Sequence, residues 1–135
     1  MASANLDFVQ SLYAAWERGD FFSSAEWADP KIEFVIADGP DPVKWTGLAA
    51  MAEGMRDRLR NFEGWRTAAD EYRELDDERV LVLVRSSARG KTSGVELAQM
   101  RTEGANLLYV RGGKVMRLVI YWDREHALAD LGLQG

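Results

Sequence analysis

Cysteine is absent from this chain of 135 residues, and His126 is its only histidine. The absence of cysteine excludes a disulfide framework, a thiolate nucleophile and a zinc–thiolate site. A single histidine also excludes a multi-histidine metal site within one chain. We therefore predict no metal site and no cofactor.

An excess of basic charge and a long apolar run are also lacking. Seventeen basic residues against 22 acidic ones give a net charge of -5, so we expect no nucleic-acid partner. The longest strongly apolar stretch is Val80–Val84, whereas a membrane-spanning helix needs about 20 residues. The first residues lack the pattern of a signal peptide. The expectation is one cytoplasmic domain over residues 1–135 with no membrane partner.

Apolar residues at helical spacing predict helices in the first half of the chain. One stripe ends near Trp16 and predicts a first helix that stops at Gly19. A short second helix is predicted over Phe21–Ala28, and Thr46 can cap a third helix that runs to about Arg60. Three helices are therefore expected in the N-terminal half of the domain.

Alternating patterns predict the strands. They cover Ile32–Ile36, Arg66–Leu75, Arg79–Ser87, Thr92–Met100, Ala105–Arg111 and Lys114–Asp123. Asp38–Pro42 is predicted to be a turn-rich loop, and Arg101–Gly104 a connection between strands. Asp123 can cap a short last helix. Helices that are largely separate from a meander of strands indicate an α+β domain with a mostly antiparallel sheet.

Several predicted strands are apolar on both faces. Val80, Val82 and Val84 share one face, while Leu81 and Leu83 share the other. A half-exposed sheet would show polar residues on one side. Either the sheet curls strongly or its outer face packs on a second copy. We favour a homodimer through the sheet face, and Trp122 is a candidate for that face.

Ordered motifs along the chain resemble the NTF2-like superfamily and its SnoaL-like members. The segments that carry the resemblance are Tyr13–Asp20, Trp27–Phe34, Trp45–Gly47, Gly113–Val115 and Tyr121–Arg124, together with the apolar residues that follow. The resemblance implies a cone in which three N-terminal helices pack in a strongly curved sheet, with a short C-terminal helix and a deep pocket. It does not specify function, because the superfamily includes isomerases, cyclases, hydrolases and binding modules.

Three reactions of this superfamily can be tested against the residues. The base of a steroid isomerase would fall near Phe34 or Val35, and neither is acidic. Epoxide hydrolysis needs two carboxylates bridged by an arginine. The residue types for it are offered by Asp70, Glu96, Arg101, Arg117 and Asp123.

A polyketide cyclase needs one aspartate in the last-strand region, and Asp123 resembles that position. Its competing role is the N-cap of the last helix, and we weigh the cap above the base. His126 lies shortly after it and is interpreted as a surface residue.

Large apolar side chains are better represented than acid–base groups. Those expected to face the cone are Trp16, Phe34, Trp45, Met51, Met55, Leu59, Trp65, Tyr72, Leu97, Tyr109 and Tyr121. Aromatic walls and adaptable methionines suit a polycyclic ligand, although core packing explains any one of them as well. The sequence predicts a protein that binds a steroid- or polyketide-like molecule, in a natural or an engineered pocket. The alternative is a cyclase, isomerase or hydrolase that uses Asp123.

Overall fold

A computed structural model of the chain describes residues 4–18, 27–38, 42–59, 62–90 and 99–133. The elements in chain order are α1 (Ala4–Glu17), β1 (Ala28–Ile36), β2 (Val43–Thr46), α2 (Leu48–Leu59), β3 (Phe62–Glu74), β4 (Arg79–Gly90), β5 (Gln99–Arg111), β6 (Lys114–Tyr121) and α3 (Arg124–Asp130). The predicted α+β class is confirmed. No helix in these ranges has the length and apolar character needed to cross a membrane.

The six strands form one mixed sheet in the order β2-β1-β6-β5-β4-β3. Neighbouring strands are antiparallel, except that β1 and β6 run parallel. The register shifts within the β1–β6, β3–β4 and β5–β6 pairs. Such irregularities bend and twist a sheet, which produces the curvature expected of a cone.

Each face of the sheet carries its own apolar cluster. The inner cluster, which packs against α1 and α2, contains Val80, Val82 and Val84 of β4. The outer cluster contains Leu81 and Leu83, together with α3. Strands that are apolar on both faces are thus explained within one chain, because a helix covers each side.

The described helices differ from the predicted three-helix layer. α1 and α2 agree with the first and third predicted helices, and Asp123 caps α3 as predicted. Of the predicted second helix, 21–26 lie outside the described residues, and Ala28 already belongs to β1. Within the described ranges α1 is the one helix before the first strand, so the predicted layer of three N-terminal helices is not matched.

One predicted connection is wrong. Arg101–Gly104 is predicted to connect two strands, but it lies within β5 and pairs with 84–87 of β4. Its polar residues resemble a turn, yet they extend the long β4–β5 hairpin. The segment Val43–Thr46, which follows the predicted loop Asp38–Pro42, forms an additional strand, β2, which pairs with β1. Most of the predicted strand Thr92–Met100 lies outside the described residues.

A bulge in β6 changes which side chains face the helices. The register moves from the pair Tyr109–Arg117 to the pair Val110–Val115, so Met116 is the extra residue. Val115 therefore packs in the inner cluster, where strict alternation placed it on the opposite face. Trp122 also packs against the inner cluster, which corrects its assignment to the outer face.

Candidate functional site

A single polar side chain interrupts the inner face of the sheet at its centre. The register aligns Ile36, Ile120, Asn106, Val82 and Tyr72 in one row across five strands. Asn106 is 6% exposed, and it is the buried polar side chain among the described residues. A polar group in such a row needs a hydrogen-bond partner, because burying it unpaired costs about 1–3 kcal/mol.

Tyr13 of α1 is that partner. The Asn106 Nδ2 donates to the Tyr13 hydroxyl oxygen at 2.6 Å, and Tyr13 is fully buried. Burial raises the pKa of the Tyr13 phenol well above its usual range, although the bond from Asn106 opposes the rise. The phenol is therefore neutral at any ordinary pH. Because its oxygen accepts from Asn106, its own O–H proton is not used in that bond.

Aromatic side chains surround this hydroxyl. Trp16 meets the Tyr13 ring edge-on at 4.8 Å between centroids, and Tyr72 does so at 6.0 Å. Trp27 in turn lies edge-on to Trp16 at 5.3 Å. The Trp27 Nε1 atom is buried and finds no acceptor in the part of the chain that the structure describes. The Tyr13 O–H and the Trp27 N–H therefore both lie within an aromatic setting.

Tyr72 lies at the edge of this aromatic group and is only partly buried. Burial, followed by the negative charge of Glu17, raises its pKa. The Glu17 carboxylate at the end of α1 accepts the backbone N–H of Ala69 at 3.3 Å. α1 is thus anchored to β3 beside Tyr72.

Trp45 closes the opposite end of the inner cluster. Its ring centroid lies 5.5 Å from that of Phe34 on the adjacent strand, at a tilt of 34°. Its other face lies on Gly54 of α2, where an added Cβ would be 2.5 Å from Cζ2 of the indole. Only a glycine leaves room for the ring at this position.

The inner cluster collects most of the predicted ligand-binding residues. Trp16, Phe34 and Met51 are buried in it, and Trp45, Met55 and Tyr72 pack against it while remaining partly exposed. Leu59 lies in α2 and Trp65 in β3, but their side chains are outside the described part, as is Leu97 altogether.

Tyr109 and Tyr121 are exceptions, because they belong to the outer cluster. They follow inner-facing neighbours along β5 and β6, so alternation places them on the other side of the sheet. They cannot share a pocket with Trp16 or Tyr72. Tyr109 instead borders a surface hollow of about 410 Å³ at the β3–β4 turn.

Asp123 is placed as a helix cap. Its carboxylate accepts the backbone N–H of Glu125 at 3.2 Å, and the residue is exposed. This is the competing role foreseen from the sequence. A role for Asp123 as a base stays a prediction.

The residues offered for epoxide hydrolysis do not converge within the described ranges. Asp70 pairs with Arg85 and Arg124 on one part of the sheet, whereas Arg117 pairs with Glu33 on another. Asp123 caps α3 at a third position. Glu96 and the side chain of Arg101 lie outside the description. No group of three potential metal-ligating side chains occurs among the residues described, either.

Sequence reasoning missed the pairing of Tyr13 with Asn106. A signal was present, because asparagine is depleted in strands and Asn106 interrupts an otherwise apolar run from Ala105 to Leu108. Such a residue predicts a buried polar contact, but only the fold shows that its partner is on α1.

Solved structures of three proteins resemble this fold over almost their whole length. An NTF2-like protein of unknown function from Burkholderia pseudomallei K96243 matches with a TM-score of 0.76 and 18% identity, covering 95% of this chain and 97% of that chain. TerC co-crystallised with polyporic acid matches with a TM-score of 0.73 and 21% identity, covering 96% of this chain and 98% of that chain. A candidate SnoaL-like polyketide cyclase from Jannaschia sp. CCS1 matches with a TM-score of 0.73 and 15% identity, covering 97% of this chain and 94% of that chain.

These structural likenesses show the NTF2-like fold. No curated protein sequence matches the chain. Residues 9–118 match the SnoaL-like domain. This match covers most of the chain, including α2, most of α1 and both Tyr13 and Asn106. The chain therefore belongs to the SnoaL-like domain family.

Proposed function

We propose that this protein binds an apolar, ring-containing small molecule, such as a steroid or a polyketide, on the inner face of its sheet. The observation that carries the proposal is the Tyr13–Asn106 pair, which places a neutral O–H donor within an aromatic cluster. Apolar walls with a few polar groups at fixed positions are typical of small-molecule sites.

The partial exposure of several inner residues supports this location. Tyr72, Trp45 and Met55 are only partly buried, although all three pack against the inner cluster. Aromatic rings offer contact area with few rotatable bonds, and methionine adapts to irregular shapes. A rigid ring system would bury its apolar surface against these side chains.

The donors favour a ligand that carries at least one oxygen. The Tyr13 O–H and the Trp27 N–H can each donate to a carbonyl or hydroxyl oxygen, and neither carries charge. The class of proteins with this fold agrees with such a ligand, since one relative was crystallised with polyporic acid.

Binding can be tested with a hydroxylated steroid and a polyketide-like anthraquinone, by calorimetry and by quenching of tryptophan fluorescence. Tyr13→Phe removes one hydroxyl and keeps the ring. Tyr109→Phe makes the same change on the outer face and is the matched control. We expect Tyr13→Phe to weaken binding of an oxygenated compound about 3- to 10-fold, the value of one hydrogen bond. The control should bind as the unaltered protein does.

An enzymatic role is the second candidate, in which Asp123 acts as general acid or base in a cyclase, isomerase or hydrolase. The likeness of this chain to a candidate polyketide cyclase of the same fold favours the enzymatic role. The capping bond to Glu125 argues against it, because a carboxylate that holds a helix terminus has less freedom to move a proton. Asp123→Asn would abolish turnover of a cyclisable substrate if this candidate holds.

A homodimer through the sheet remains a proposal. The apolar outer face of the sheet suggests a dimer. However, α3 covers part of that face, and Leu81 and Leu107 are buried within one chain. Light scattering during size-exclusion chromatography distinguishes a dimer from a monomer of 15.2 kDa.

A further inference from the structure

A cluster of titratable side chains lies away from the inner face, where β1 ends and α3 begins. Asp38 follows β1, and its Oδ1 accepts the backbone N–H of Trp122 at 2.5 Å. Its Oδ2 lies 2.8 Å from the His126 Nδ1 and 3.4 Å from the backbone nitrogen of Asp123. One carboxylate thus joins the end of β1 to the end of β6 and to the first turn of α3.

α3 depends on such tethers for its position. It has 7 residues, and only Ala127 and Leu128 of these are buried. A helix of this length is not stable alone, because the cost of nucleation exceeds what a few hydrogen bonds return. Its docking therefore rests on a small apolar contact and on side-chain bonds.

Four further side-chain hydrogen bonds hold α3 besides the Asp38–His126 contact, one of them from the Arg124 Nε to the carbonyl oxygen of Gly104 at 3.3 Å. Arg124 reaches Asp70 at 3.0 Å and the carbonyl oxygen of Val84 at 3.0 Å. Near the other end of the helix, the Tyr121 hydroxyl donates to Asp130 at 3.1 Å. Histidine is the side chain whose ordinary pKa lies closest to neutrality, so His126 is the group of this set that can make the docking respond to pH there.

We propose that Asp38 and His126 form a pH-sensitive clasp that holds α3 on the outer face of the sheet and loosens when rising pH removes the proton of His126. Protonated His126 makes a charge-assisted hydrogen bond to the carboxylate, which is about twice as strong as a neutral one. Loss of the proton removes the attraction between opposite charges, and the neutral imidazole donates to the carboxylate only in the tautomer that carries its proton on Nδ1.

The charged groups around His126 favour its protonated form. Asp38 faces it from the end of β1, while Asp130 and Asp123 face it from α3 and its cap. Tyr121 of β6 presents its ring edge-on at 5.5 Å. Burial, followed by its bond to Asp130, raises the pKa of Tyr121 to about 12, so it stays neutral. The charged groups that raise the pKa of His126 are therefore carboxylates.

The direction in which the pKa of His126 is shifted decides whether docking of α3 weakens or strengthens as the pH rises. The hydrogen bond that the Asp38 carboxylate accepts raises the pKa of His126 above its usual value, against an opposing effect of burial. The clasp then stabilises docking fully below the ordinary pKa of about 6.5. The stabilisation is lost as the pH rises through the higher folded-state pKa. Its size is limited because His126 is 44% exposed.

Loosening of α3 would uncover apolar surface. Leu81, Leu107 and Val119 belong to the outer cluster that packs with Ala127 and Leu128. Release of α3 at higher pH would therefore expose a patch that is buried at lower pH. This response does not depend on a ligand at the inner face, so its failure would leave the proposed function standing.

Because His126 is the only histidine, its ring protons can be followed by NMR without ambiguity. We expect its pKa to lie above about 6.5 in the unaltered protein and to fall to about that value in Asp38→Asn. Asp130→Asn, which alters a nearby charge without touching the clasp bond, should lower it less. An equal pKa in the unaltered protein and Asp38→Asn, or an equal fall in both variants, would overturn the proposal.

Hydrogen exchange of the α3 amides, corrected for the intrinsic effect of pH, tests the structural consequence. Protection of α3 should fall several-fold between pH 6 and pH 8 in the unaltered protein. In His126→Gln it should be low and equal at both values. The proposal is overturned if α3 of the unaltered protein is equally protected at both pH values, or if His126→Gln retains the change. The second variant also covers the case in which Asp38→Asn fails to fold.

Discussion

Replacing Gly54 by alanine tests the packing of Trp45 on α2 through the sign of a stability change. In a helix interior, glycine is about 1 kcal/mol less favourable than alanine, so the substitution would ordinarily stabilise the protein. Here the new Cβ would lie 2.5 Å from Cζ2 and 2.8 Å from Cδ2 of the Trp45 ring. Carbon atoms pack at about 3.5 Å or more, so the ring would have to move by about 1 Å.

That movement is resisted on the far side of the ring. Phe34 lies 5.5 Å away between centroids, and Phe34 itself is buried in the inner cluster. Overpacking of this kind costs about 1–3 kcal/mol. The gain in helix propensity offsets part of that cost, so we expect Gly54→Ala to destabilise the protein by about 0–2 kcal/mol.

Urea unfolding of a double-mutant cycle measures this contact directly. In the background Trp45→Ala the ring is gone, so Gly54→Ala should stabilise the protein by up to about 1 kcal/mol. The two effects should differ by about 1–3 kcal/mol, which is the coupling energy of the pair. If Gly54→Ala stabilises both backgrounds equally, then Trp45 does not pack against Gly54 and the reasoning is refuted.

The remaining predictions concern the sheet and the two carboxylates near α3. In Gly104→Val the new Cβ would overlap the carbonyl oxygen of Tyr121. This overpacking should destabilise the protein by more than about 1 kcal/mol, and an unchanged urea midpoint would refute the contact. Asp123→Ala should lower the free energy of unfolding by about 1 kcal/mol through loss of the cap, and a neutral result would contradict the capping role. Hydrogen bonds from Arg124 and Arg85 lower the pKa of Asp70 against the opposing effect of burial, so its contribution to stability is present above its ordinary pKa and lost as the pH falls through the lowered one. Asp70→Asn should flatten acid unfolding in that range, and identical acid curves would argue against the pairing.

Local patterns were enough to predict the helices that have one apolar face. Tyr13 and Trp16 of α1 fall on the inner side because the helical period fixes which residues share a face. The capping role of Asp123 also follows from local chemistry, since its side chain bonds to a backbone group two residues away.

Alternation along strands failed where the sheet is irregular. The extra residue Met116 in β6 moves Val115 to the inner face, and no property of the local sequence announces such a bulge. The same alternation was not applied across β5, so Tyr109 was grouped with inner residues although it belongs to the outer cluster. Faces of strands are set by pairing with distant segments, which a single sequence does not display.

Contacts between distant residues were also beyond the sequence. Asn106 and Tyr13 are 93 positions apart, and Asp38 and His126 are 88 apart. His126 was interpreted as a surface residue, and it is indeed exposed on one side. Only the meeting of β1 with the start of α3 gives it a carboxylate partner.

The central claim is that the inner face binds an oxygenated ring compound through Tyr13. The most direct test compares the dissociation constants of a hydroxylated steroid and of an anthraquinone for the unaltered protein, Tyr13→Phe and Tyr109→Phe. We predict that at least one compound binds, that Tyr13→Phe weakens it about 3- to 10-fold, and that Tyr109→Phe leaves it unchanged. The account would be contradicted if neither compound binds the folded protein, or if binding is insensitive to Tyr13→Phe and is weakened by Tyr109→Phe.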